Sequence, residues 1–147
     1  MKRFICLFIS CSMLLACNHQ DHSEMHQDST SHEETQALNL NNGMKWKADT
    51  ATNQRITDLQ NIADHFKTIT APTPSEYQVL GNDMNNMLQK LLQECKMTGP
   101  DHEALHQWLT PVMRLSNDLK NIKDSSTARK NVNDLDTQLK AYHTYFE

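Results

Sequence analysis

The chain has 147 residues, 37% of them hydrophobic and 6% aromatic, and a net charge of −4 at pH 7. That is enough for one small domain and too little for a multi-domain enzyme. Three glycines and four prolines are too few for a β-architecture, which needs turn residues every 8–12 positions or so, and an acidic chain without clustered Lys and Arg is not built for nucleic acid.

The chain opens with the positive Met1-Lys2-Arg3, followed over residues 4–15 by a twelve-residue stretch that is mostly apolar. Such a stretch is shorter than the ~20 residues that span a bilayer and suits a secretory signal. It ends in Leu14-Leu15-Ala16-Cys17, which resembles the lipobox of bacterial lipoproteins. The resemblance implies a signal peptide over 1–16, cleavage before Cys17, and a lipidated Cys17 with an acylated, palmitate-class amino group. Acyl chains at ~0.8 kcal/mol per buried CH₂ then anchor the protein to a membrane. Asn18, in place of Asp, implies an outer-membrane, periplasm-facing address in that family. The alternative is an ordinary signal peptide with a chance cysteine. Cleavage removes Lys2, Arg3, Cys6 and Cys11, leaving 12 basic against 18 acidic residues, a net of −6, with Cys95 as the one remaining thiol. No intramolecular disulfide can then form, so a free thiol stands in an oxidising compartment.

Residues 17–42 read as a tether. From residue 18 on they hold five acids, no Lys or Arg and no aromatic, and so cannot bury enough apolar surface to fold alone. His19, His22, His26 and His32 fall within fourteen residues of this segment. Short His-rich tracts are candidates for dynamic metal binding; the plainer alternative is a solvated spacer.

Residues 43–147 read as the folded domain, an all-α, antiparallel up-down-up-down four-helix bundle. After Asp49 or Thr50 as cap, Ile56, Leu59, Ile62, Phe66 and Ile69 recur at three- and four-residue steps, the period of a half-buried helix. A second helix starts at Thr73 or Ser75, carries Tyr77, Leu80, Met84, Met87, Leu91 and Cys95 on one stripe, and is expected to stop at Gly99-Pro100. A third opens at Asp101 with Leu105, Trp108, Val112, Leu115, Leu119 and Ile122 inward, and Pro111 is expected to kink it. The fourth follows Ser125 or Ser126, with Ala128, Val132, Leu135, Leu139, Tyr142 and Phe146 in unbroken 4-3-4-3-4 spacing.

This topology gathers the unusual side chains at the end holding the loop between the second and third helices. Cys95 and Met97 lie there, His102 and His106 are one turn apart on one face, and Met113 falls near that face. His143 and Met44 come from the last helix and the lead-in to the first. Thiolate, thioether and imidazole together suit a soft ion, Cu(I) first, with Zn(II) through Cys and His. Cys95, His102, His106 and Met97 are the primary ligand candidates. His143, Met44, Met113 and the tether histidines are the additional ones. Core packing is the competing explanation for the methionines.

His102-Glu103-Ala104-Leu105-His106 also matches H-E-x-x-H, the zinc-hydrolase helix. Leu109 and Val112 occupy the positions of the metzincin Gly and third His, and no Glu lies between Glu103 and Glu147, so a third zinc ligand is missing. Glu103-x-x-His106 occurs once where a di-iron bundle needs two copies. Haem held by Met44 and His143 lacks any C-x-x-C-H for attachment.

The segment from Leu40 to Lys47, Leu-Asn-Asn-Gly-Met-Lys-Trp-Lys, with Cys95-Lys96-Met97-Thr98-Gly99, His102, Leu105-His106 and the closing Tyr145-Phe146-Glu147, resembles a group of small helical bacterial envelope proteins, some of which accompany heavy-metal efflux systems. The resemblance spans most of residues 40–147. It implies that Cys95, Met97, His102 and His106 form a shared motif to which Glu103 does not belong. The resulting expectation is a non-enzymatic lipoprotein that captures Cu(I) or a similar ion and buffers it or passes it to an exporter. The alternatives are an adaptor lipoprotein of an envelope complex, indifferent to metal, and a zinc hydrolase.

Overall fold

The computed structural model describes residues 38–147, and among them the chain is all-helical apart from turns and two isolated backbone bridges. Helix α1 spans Thr50–Phe66, capped by Asp49, whose carboxylate accepts the Thr52 N–H at 2.6 Å. Helix α2 spans Pro74–Glu94 behind a complete capping box: the Thr73 hydroxyl accepts from the Glu76 amide while the Glu76 carboxylate accepts from the Thr73 amide. Each cap satisfies amides that the first helical turn would leave unpaired, worth about 1 kcal/mol.

Helix α3 spans Gly99–Lys120 and α4 spans Ser125–Lys140, the latter capped by Asp124. Gly99-Pro100, expected as a stop signal, instead opens α3. Gly99 takes φ +67°, and Pro in the first turn costs nothing because its missing N–H would have been unpaired there. Helix α2 ends earlier, at Glu94. Pro111 lies inside α3, which runs through it without a break. The fourth apolar stripe is buried along its whole length, although α4 breaks at Ala141 before the single turn α5, Tyr142–Tyr145.

Helix α1 packs on α2 and α4, α3 also contacts both α2 and α4, and α2 touches α4. Trp108 is 1% exposed at the centre of this packing, with Tyr142 and Phe146 edge-on at centroid distances of 5.0 and 6.3 Å. Edge-to-face contact adds about 0.5–1.5 kcal/mol per pair to burial. Leu88, Leu109 and Ala63 complete the core beside the predicted stripes, while Ile62, Ile69 and Met87 are half-buried at its margin. Helices α2 and α3 approach closely at Gly81, where a Cβ would lie 2.3 Å from the Lys120 amide nitrogen.

Packed structure begins ahead of residue 43. Leu38 packs on the core, and the Trp46 indole donates to the Asn39 carbonyl at 2.8 Å. Asn42 and Gly43 both have positive φ between the mutually bonded Asn41 and Met44, the mirror-image turn that Asn-Gly favours. The segment then pairs with the C-terminus: Trp46 donates to the Tyr145 carbonyl, Glu147 to that of Trp46, and Ala48 to that of Glu147.

Candidate metal centre

Four segments are tied together around the start of α3. One Asp49 carboxylate oxygen caps α1, and the other accepts the Lys96 amide of the α2–α3 loop at 2.7 Å. Asp101, in the first turn of α3, accepts the Lys47 amide at 3.0 Å. Burial pushes the half-buried Asp49 carboxyl up, and the amides of Thr52 and Lys96 more than reverse this, so that it titrates below the usual carboxylate value. The Tyr142 hydroxyl donates to the Asn53 side-chain oxygen at 2.8 Å. Burial above all, with the charges of Asp49 and Cys95, drives its phenol well above the usual range.

On this fixed helix end stand His102 and His106. The i, i+4 spacing stacks both side chains on one face, and their Nε2 atoms meet at 3.0 Å with ring centroids 4.4 Å apart. His102 is half-buried and His106 exposed. In the neutral pair one Nε2 donates its proton and the other accepts. If the donating ring adopts its Nδ1–H tautomer, both Nε2 lone pairs face one point.

The other predicted ligands occupy different surroundings. Among the described residues, no group of three or more His, Cys, Asp or Glu side chains is arranged to hold a metal ion. Cys95 is the reduced, half-buried C-cap of α2, and Met97 is half-buried in the loop; both pack against the apolar core. Met113 is 42% exposed on α3 and Met44 is 66% exposed after the Asn42-Gly43 turn. His143 is exposed and lines a hollow of about 230 Å³ between α1 and α4 with Gln60, Asp64, Asp136 and Lys140. Cys17, His19, His22, His26 and His32 lie outside the described residues. The sequence therefore identifies the imidazole pair, and the fold adds what holds it in place. Asp49 is legible as a helix cap, but nothing in the spacing announces its second bond to Lys96 or that between Asp101 and Lys47.

Glu103 is exposed between the two histidines. No family model, curated protein or solved structure matches the chain.

Proposed function

We propose that this is a lipid-anchored metal-binding protein of the bacterial envelope, facing the periplasm from the outer membrane, that captures copper or a similar ion and buffers it or passes it to an export system. No turnover is part of the proposal, and zinc is the competing ion. The observation that carries it is the 3.0 Å convergence of the His102 and His106 Nε2 atoms, since imidazole nitrogens brought together on a rigid helix are ready ligands. The Leu14-Leu15-Ala16-Cys17 segment supports the anchor, and the four histidines of the tether support ion collection ahead of the pair. Connections of four residues between α2 and α3 and between α3 and α4 favour antiparallel neighbours, and we take the helices to run up-down-up-down.

The test is equilibrium dialysis of the mature chain against copper and against zinc, with His19, His22, His26 and His32 replaced by Gln so that the tether does not contribute. One ion per chain is expected, and His102→Ala or His106→Ala weakens its binding by about tenfold or more. Binding that neither substitution weakens overturns the proposal.

A further inference from the structure

We infer that the His102/His106 pair is a cis-chelating clip for a tetragonal divalent ion, Cu(II) first and Ni(II) next, and that it holds this ion without sulfur. The inference rests on the metal-binding reading and fixes the ion that the site takes. Two nitrogens 3.0 Å apart, each about 2.0 Å from a shared ion, subtend about 95° at it. That is the right-angle bite of square-planar or octahedral coordination, which with nitrogen donors is characteristic of Cu(II) and Ni(II). A linear two-coordinate Cu(I) needs its nitrogens about 4 Å apart, and among divalent ions held by nitrogen donors affinity rises through Ni(II) to Cu(II) and falls again at Zn(II). The i, i+4 geometry works against the linear case, because both side chains leave the same helix face and converge.

Sulfur would favour Cu(I), but Cys95 and Met97 pack against the core, and Cys95 joins no group of three His, Cys, Asp or Glu donors. Binding requires only that the ring donating in the His–His hydrogen bond move its proton from Nε2 to Nδ1, with no net proton release. Two equatorial positions of the ion stay open to water or to a donor from another molecule. A clip of this kind accepts an ion from one ligand set and yields it to another.

The test titrates the mature chain, its four tether histidines replaced by Gln, with Cu(II), Ni(II), Zn(II) and Ag(I), the last a redox-inert stand-in for Cu(I). Calorimetry gives the affinities and electron paramagnetic resonance the Cu(II) ligands. The expected order is Cu(II), then Ni(II), then Zn(II), with Ag(I) weakest and an axial Cu(II) spectrum showing nitrogen coupling. His106→Ala weakens Cu(II) binding by about tenfold or more, as loss of one chelate arm demands, whereas Cys95→Ser leaves it unchanged. Ag(I) bound most tightly and lost in Cys95→Ser overturns the inference while leaving the metal-binding reading intact. Zn(II) bound at least as tightly as Ni(II) overturns the tetragonal geometry. Failure of all four ions overturns both readings.

Discussion

Replacing Gly81 with Ala adds one methyl group at a close approach of α2 and α3. The new Cβ would lie 2.3 Å from the Lys120 nitrogen and 2.8 Å from the Leu119 carbonyl carbon and the Lys120 Cα, where ordinary contact is 3.4–4 Å. All three atoms belong to backbone, so no side chain can rotate away, and the helices must separate by about 1 Å in a close-packed core. Overpacking of this kind costs about 1–3 kcal/mol, and rigid backbone places the cost near the top of that range. Ala is favoured over Gly in a helix interior by about 1 kcal/mol. The net expectation is destabilisation by about 2 kcal/mol, which in a domain of this size lowers Tm by about 10 °C. Thermal and urea unfolding of the metal-free protein measure it, with the exposed neighbour Asn82→Ala as control, expected to gain a few tenths of a kcal/mol from propensity alone. A Gly81→Ala protein as stable as the original, or more so, would refute the close approach of α2 and α3.

Asp49→Ala removes the α1 cap and the bond to the α2–α3 loop together, and should cost about 2 kcal/mol in urea unfolding; Asp49→Asn, which keeps an acceptor, should cost less. Because the Asp49 pKa is depressed on folding, its contribution is present above the unfolded value near 3.8 and is lost as pH falls through the lower folded value. Asp49→Asn should therefore flatten the stability profile below about pH 4. Tyr142→Phe deprives the Asn53 side-chain oxygen of its phenolic donor and should cost about 1 kcal/mol with near-ultraviolet dichroism otherwise preserved. Lys67 bridges Asp64 and Asp136, both at 2.7 Å, which holds its ammonium charged. Its side chain is 35% exposed, so Lys67→Met should cost under about 1 kcal/mol, and the difference should shrink in ~1 M salt.

The helices were legible because their apolar residues recur with the helical period and because Asp49 and Thr73 are chemically suited to their places, whereas the fourth helix is capped by Asp124, ahead of the expected Ser125 or Ser126. Gly99-Pro100 misled because the two residues serve a helix end in either direction: left-handed φ suits Gly after one helix, and Pro suits the first turn of the next. A four-residue loop puts both roles within reach. Leu88 and Leu109 lie beside their stripes and are buried because each helix packs against more than one neighbour, so its buried face is wider than a single row. At the candidate site, the i, i+4 spacing of His102 and His106 alone dictated their convergence. Where Cys95 and Met97 lie relative to that pair depends on how the α2–α3 loop is anchored by Asp49, a tertiary contact between residues 49 and 96 that no local pattern encodes. The same holds for His143, which packing places beside Gln60 and Asp64.

The proposed claim that His102 and His106 together hold a metal ion in the working protein is tested most directly by elemental analysis of the protein isolated from its native source without added metal. Versions with and without the pair, each with the tether histidines replaced by Gln, should be compared. The account predicts about one copper per chain, with zinc its competitor, and its loss in the His102→Ala, His106→Ala double variant. Equal metal content in the two proteins, or none in either, would contradict it.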